Sequence, residues 1–433
     1  MHYNNVFFIR KKNSAGGVQK EPICLFHHLK AGIHRREGNR RRKDAAMVKT
    51  GCDILAQNPG KRLGERRIGL LSNSASVTSN LVHISEVLAS RGIKLDCIFG
   101  PQHGFRGETQ ANMIEWQGYI HPRLGIPVYS LYGEKREPDS FMLEDLDLVL
   151  IDLPDIGARP YTYLWTSVLM LKACAAGGVG VMVLDRPNPI GGSAVEGPLL
   201  EEHYASFVGL HPLPMRHGLT MGEALVLVNE TAKIGCGLEV IRLKGWERSM
   251  FFEDTGQPWI MPSPNIPTPE TALVYPGTVL LEGTNISEGR GTTRPFELVG
   301  APWIDPERLA ERLVGFDFDA VRFRPVHFMP AWDKYADKLC GGVQIHVTNK
   351  RGFKPVRCGA AIIRAAAHLY PEHFRWIDPP YEYEFELSPI DVISGGAALR
   401  EAASVHDGLK SLFDAWKRDE RNFVRRRRPF LLY

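Results

Sequence analysis

The chain contains no run of about 18 to 20 uninterrupted apolar residues, so no segment reads as a membrane-spanning helix. CxxC pairs are missing as well. The seven cysteines, at positions 24, 52, 97, 174, 236, 340 and 358, are scattered and odd in number. That pattern excludes a disulfide framework and a zinc site, and it suits small buried hydrophobes in a reducing compartment. Cofactor fingerprints also fail. No GxGxxG follows the first strand-like segment, and Gly178-Val179-Gly180 lacks a third glycine and precedes a strand instead of following one. GxxxxGK[ST] and HExxH are absent, and a nicotinamide-dependent oxidoreductase loses its support. Glycine and proline together make about 17% of the 433 residues, rich in turns but below low complexity.

What is present is ordinary globular composition, 44% hydrophobic and 24% charged, over a length that suggests two domains. The net charge of +4 misleads. Residues 1–46 carry eleven Lys and Arg against Glu21, Glu37 and Asp44, a local +8 that leaves −4 for the other 387 residues. Basicity is therefore confined to a leader, and nucleic-acid binding loses its main support. The leader, with Arg40-Arg41-Arg42-Lys43 near its end, has too little apolar content to fold. Its apolar runs, such as Val6-Phe7-Phe8-Ile9, are too short for a signal peptide. We expect Met47 to be the true start, with a targeting segment or a basic interaction arm as alternatives, and a cytoplasmic location.

From residue 66 strand-like and helical patterns alternate. Strands are expected at Arg67–Ser72, Leu95–Phe99, Pro127–Leu131, Leu146–Leu153 and Val179–Leu184, and helices over residues 80–91 and 163–176. Near-continuous apolar strands in a βαβα rhythm predict a mainly parallel sheet covered on both faces. Ligands bind beyond the carboxyl ends of such strands, so Gln102, Asp152 and Asp185 should share one rim. After about residue 260 the texture changes. Pro262–Pro267 reads as a rigid linker, followed by a smaller α+β unit with helices near 305–315, 356–369 and 407–420 and a strand at 342–348. The expected organisation is a leader over 1–46, a catalytic unit over 47–260 and a smaller unit over 261–433.

Three clusters carry the polar chemistry. Gln102, His103, Arg106 and Glu108 gather an amide, an imidazole, a guanidinium and a carboxylate on a glycine-flanked loop. A self-satisfied tight turn would look similar. Asp152, Asp155, Arg159, Tyr161 and Tyr163 combine acceptors with rings, which suits a sugar, although core packing explains the two tyrosines equally well. The third, Glu282–Thr293, is almost wholly polar and holds Glu282, Asn285, Ser287, Glu288 and Arg290 between stiff flanks.

Four ordered segments make a resemblance specific: Gly100-Pro101-Gln102-His103-Gly104-Phe105-Arg106-Gly107, Asp185-Arg186-Pro187-Asn188-Pro189-Ile190-Gly191-Gly192, Ser263-Pro264-Asn265-Ile266-Pro267-Thr268, and Glu282–Thr293. Together they resemble the NamZ (YbbC-like) family of exo-β-N-acetylmuramidases, formerly a domain of unknown function, from about residue 50 to the end. The resemblance implies a Rossmann-like domain and a smaller C-terminal domain with the active site between them. It also implies release of terminal β-1,4-linked N-acetylmuramic acid from peptidoglycan fragments, with no metal or organic cofactor. The partner it implies is a peptidoglycan-derived saccharide, with no nucleic acid and no membrane insertion. Asp185, Arg186, Asn188 and Asn265 join the candidate substrate-binding residues.

The pattern of that family has glutamate, the candidate acid/base, where this chain has Gln102. An amide cannot deliver the catalytic proton. Glu108 is then the expected acid/base, with His103 and Glu115 as the other catalytic candidates and Gln102 as a ligand of the acetamido group or leaving oxygen. Retaining, inverting and substrate-assisted routes all stay open. A changed substrate and a catalytically silent amino-sugar-binding protein are the competing readings.

Overall fold

The computed structural model describes residues 47–405 and 408–433, so the expectations for the leader over residues 1–46 lie outside the described residues. Strands are numbered along the chain. The first six are β1 (Ile68–Ser72), β2 (Cys97–Gly100), β3 (Tyr119–Ile120), β4 (Pro127–Ser130), β5 (Leu148–Asp152) and β6 (Gly180–Leu184). A two-stranded ribbon of β7 (Glu196–Leu199) and β8 (Pro214–Arg216) precedes β9 (Leu238–Ile241).

One sheet takes seven of these in the order β3-β4-β2-β1-β5-β6-β9. All its pairings are parallel except that of the short edge strand β3 with β4. Every residue of β1, β2 and β5 is buried, as strands covered on both faces must be. Because β2, β5 and β6 point the same way, Gln102, Asp152 and Asp185 do come to one rim. The helix expected over residues 80–91 is shorter, Ile84–Ser90. Leu81 turns back with φ of 62°, and His83 caps the helix by accepting from the Ser85 amide. The buried helix Tyr163–Gly177 ends where Gly178 takes the left-handed conformation.

The smaller α+β part holds an antiparallel sheet, order β10-β12-β11, of β10 (Leu298–Ala301), β11 (Val321–Phe328) and β12 (Cys340–Val347). Its helix Pro355–Leu369 crosses the helix Pro269–Thr278 at Gly277 and Gly359: a Cβ on Gly277 would strike the Pro355 carbonyl, and one on Gly359 the Gly277 carbonyl. The tail helix runs Gly408–Arg427 and buries Leu409, Leu412, Trp416 and Phe423 on one face. It lies along β7, where Glu420 accepts from the Gly197 amide at 3.0 Å. The chain ends in the larger sheet's rim, with the Tyr433 hydroxyl donating to Asp185 at 2.6 Å. Pro262–Pro267, read as a linker, is instead a wall of the rim. The Pro262 carbonyl accepts from Asn73 at 2.8 Å and from the Tyr163 hydroxyl at 2.9 Å. Among the described residues no helix is long and apolar enough to cross a membrane.

Candidate active site

A polar cleft of about 410 Å³, counted with its open mouth, lies where the loop after β2 meets the smaller part. The backbone brings Gln102 there by a tight turn: His103 and Gly104 both have positive φ, 69° and 85°. Gln102 is buried, and its orientation is set by the Thr162 hydroxyl, which donates to the amide oxygen at 2.6 Å. The amide nitrogen must then face inward. It donates to the Tyr132 hydroxyl at 3.0 Å and to Glu382 at 3.1 Å.

Glu382 was not among the residues singled out from sequence. It stands at the tip of a turn in which Tyr381 and Glu384 exchange backbone hydrogen bonds, with Glu382 at φ 48° and Tyr383 at φ 66°. Two successive left-handed residues are the signature of a hairpin turn that normally takes Asn-Gly, and here they cost roughly 1–2 kcal/mol each. Such strain persists where the surroundings demand it, often at functional sites. Here the turn drives a carboxyl that is 2% exposed between Gln102 and the Tyr132 hydroxyl, which donates at 2.9 Å. Burial pushes the Glu382 carboxyl up to about 7, the neighbouring Glu282 charge adds to the rise, and the two neutral donors and the Arg290 charge offset it only in part.

A second carboxylate answers it across the cleft. Glu282 accepts from Arg290 at 2.6 Å, from the Tyr381 hydroxyl at 2.7 Å and from Asn112 at 3.2 Å. Arg290 reaches onward to Glu288 at 3.1 Å, and Glu288 also meets Lys334 at 3.0 Å. The remaining Arg290 nitrogen, Nη1, is buried without a partner. His103 donates from Nδ1 to the Thr109 carbonyl at 2.7 Å, and burial pulls its imidazole down to about 4, so it stands neutral at pH 7. Tyr161, Tyr163, Asn265 and Tyr275 also line the cleft.

Several expected residues stand elsewhere. Glu108 is exposed, folded back over Gly104, and the structure does not bring it into the cleft. Arg106 is exposed and stacks on Tyr119 at 4.4 Å. Glu115, also exposed, accepts from the Tyr383 hydroxyl at 3.0 Å and touches the cleft only through that turn. Arg159 is fully buried and donates to the carbonyls of Pro198, Leu213 and Ile393, so it is a strut between segments. Asn188 and Asn285 likewise serve backbone, bonding the Leu219 and His373 carbonyls, and Ser287 accepts from the Gly289 amide. Asp185 accepts from Thr220 and Gly222 at the start of the helix Met221–Thr231. Asp152 is locked to Arg186 at 2.6 Å, and Asp155 and Arg186 line a separate cleft. The signal for Glu382 was there to read: Pro379-Pro380-Tyr381-Glu382-Tyr383-Glu384 alternates rings and carboxylates behind two prolines.

Known proteins resemble this chain over most of its length. The family models for the N-terminal and C-terminal parts of the exo-β-N-acetylmuramidase NamZ match residues 68–270 and 273–433. The peptidoglycan β-N-acetylmuramidase NamZ of Bacillus subtilis (strain 168) is 41% identical over 412 residues, covering 95% of this chain and 97% of its own. Two crystal structures of DUF1343 family proteins from Bacteroides fragilis share the fold. One has a TM-score of 0.81 at 33% identity and the other 0.68 at 27%, each covering 89% of this chain and 99% of the other.

Proposed function

The chain belongs to the NamZ exo-β-N-acetylmuramidase family, and from that premise we propose how its own residues carry out the hydrolysis. It is a glycosidase that releases terminal β-1,4-linked N-acetylmuramic acid from peptidoglycan fragments. Glu382 is the general acid. A carboxyl raised to about 7 keeps its proton near neutrality and can pass it to the leaving glycosidic oxygen. The observation that carries this assignment is that Glu382 takes its side-chain hydrogen bonds from a phenol and an amide, while the nearby Arg290 charge offsets its burial only in part.

Gln102, at the position where the family pattern has glutamate, holds the acid in place. Its oxygen is taken by Thr162, so its nitrogen can only donate, and it fixes the Glu382 carboxyl without competing for the proton. Glu282, kept in place by Arg290 and Tyr381, presents negative charge to the oxocarbenium-like ring of the transition state. The unpartnered Arg290 Nη1 is a donor for the acetamido or lactyl oxygens of the sugar. The tyrosine rings give its apolar face a surface. The setting we propose is cell-wall turnover or recycling in the cytoplasm, which the six free, buried thiols among the described residues suit.

The test is turnover of a chromogenic N-acetylmuramide and of the natural disaccharide by the purified chain. Release of free N-acetylmuramic acid from both is expected. Tight binding of muropeptide with no release would overturn the reading and leave a sugar-binding protein.

A further inference from the structure

The larger sheet has a second cleft, and its place is set by topology. From β1 the chain steps to β2 and then β4 on one side, and later from β5 to β6 and β9 on the other. Loops leaving β1 and β5 therefore diverge, and the crevice between them is where open parallel sheets receive ligands. A concave space of about 540 Å³, counted with its open mouth, lies there. Ala75 and Val77 after β1, Pro154 and Asp155 after β5, and Arg186 after β6 form its base. Trp259 and Phe252, edge to face with centroids 4.7 Å apart, form its apolar side.

The polar groups at the base are short of partners. Asp155 accepts from the Gly157 amide through Oδ2 at 2.7 Å, while its Oδ1 is buried with none. Behind it, His217 accepts from the Leu219 amide through Nδ1, so Nε2 carries the proton. That Nε2 lies 3.6 Å from Asp155 Oδ2, too far to bond, and is also buried without a partner. Arg186 commits Nε and Nη2 to Asp152 and the Val77 carbonyl, and its Nη1 takes part in neither. A buried acceptor and a free guanidinium nitrogen beside aromatic walls match a ring that carries hydroxyls. They do not match a dinucleotide: the β1 turn, Asn73-Ser74-Ala75-Ser76, has no glycine, and Asp155 would repel a pyrophosphate.

We propose that this switch-point cleft is a second saccharide site, taking a neutral pyranose such as N-acetylglucosamine. Trp259 stacks on its apolar face, and Asp155 and Arg186 bond its hydroxyls. The site deepens the glycosidase reading. Its neighbour is the catalytic cleft, because Pro262 lines one and the adjoining Ser263 the other. The same pyranose chemistry could come from the next ring of the glycan being cleaved or from a free sugar.

The experiment has two arms, both on the full chain, comparing wild type with Trp259→Ala, Trp259→Phe and Asp155→Asn. In the first, KM is measured for an N-acetylmuramide with a small activated leaving group and for the natural disaccharide. In the second, free N-acetylglucosamine is titrated by calorimetry into Glu382→Gln and into Glu382→Gln carrying Trp259→Ala, which needs no turnover. A KM for the disaccharide raised about tenfold in Trp259→Ala, with the small substrate unchanged and Trp259→Phe restoring most of it, places the glycan's next ring in the cleft. Binding of free N-acetylglucosamine that Trp259→Ala abolishes, with both KM values unchanged, supports the site and assigns it to a separate sugar. Unchanged KM values together with no N-acetylglucosamine binding overturn the proposal. Absence of turnover in wild type would sink the glycosidase reading alone, since the titration still judges the site.

Discussion

Glu288 and Glu382 are both buried carboxylates in one polar network, and they differ in what faces them. Around Glu288 stand two cations, Lys334 at 3.0 Å and Arg290 at 3.1 Å. Burial raises its carboxyl, but the two cations outweigh burial and hold it below the ordinary range. Around Glu382 stand a phenol and an amide, and burial prevails, lifting it to about 7. The contrast teaches that burial alone does not make a catalytic acid. A carboxylate matched by cations is a strut, whereas one held by neutral donors can exchange its proton near neutral pH.

Replacing each carboxylate separates the two roles. Glu382→Gln should lower kcat on the natural disaccharide by about 10²–10⁴-fold, with a smaller loss on an activated aryl glycoside that needs less protonation. Stability should not fall with it. The folded-state value of Glu382 is raised from 4.5 to about 7, so its contribution is full below pH 4.5 and is lost as pH rises through 7. At pH 8 the glutamine variant should melt at or above the wild-type temperature. Glu288→Gln should do the reverse, taking from the half-buried Lys334 its carboxylate and from Arg290 one of its carboxylate partners, and costing about 3 kcal/mol in a denaturant titration. Equal melting of the two variants would erase the distinction.

The pH profile sharpens the same contrast. If Glu382 must be protonated, kcat/KM should fall about tenfold per unit above pH 7. Gln102→Glu would set a like charge 3.1 Å from it and move that limb upward. A limb that stays put in Gln102→Glu removes Glu382 as the group that titrates.

Much of this was legible in sequence, for identifiable reasons. Strands such as Leu148–Asp152 are apolar throughout, which only a doubly covered parallel sheet tolerates, and that pattern placed Gln102, Asp152 and Asp185 on one rim. Composition could not tell what each polar residue faces. Arg159 beside two tyrosines reads like a sugar site, yet its guanidinium is spent on backbone carbonyls. Glu382 escaped notice because its partner Gln102 is 280 positions away and the turn that delivers it uses left-handed glutamate and tyrosine in place of Asn-Gly.

A smaller effect is expected at the far end of the rim. Burial pushes Asp185 up to about 6, and the Tyr433 hydroxyl is among the donors that oppose the rise. Its neutral form is favoured in the folded protein, so its contribution to stability falls as pH rises from about 4 to about 6. Tyr433→Phe removes a donor from the ionised form and should cost about 1–3 kcal/mol above pH 6 and less at pH 5. Melting curves at pH 5 and pH 8 measure the difference, and an equal loss at both would detach Tyr433 from the Asp185 charge.

The smallest effect should come from Glu108, the acid that the loop composition suggested. It shares its glycine-flanked loop with Gln102, but the chain turns at His103, Gly104 and Gly107, all at positive φ, and the two side chains part. Gln102 goes into the cleft, while Glu108 stays exposed with its carboxylate over Gly104. A solvated carboxylate held over Gly104 has no position against the leaving oxygen. Glu108→Gln should therefore change kcat/KM on the natural disaccharide by no more than about twofold, the range of an ordinary surface substitution. A hundredfold loss, greater on the natural substrate than on an aryl glycoside, would return the proton to this loop and leave Glu382 as a buried strut like Glu288.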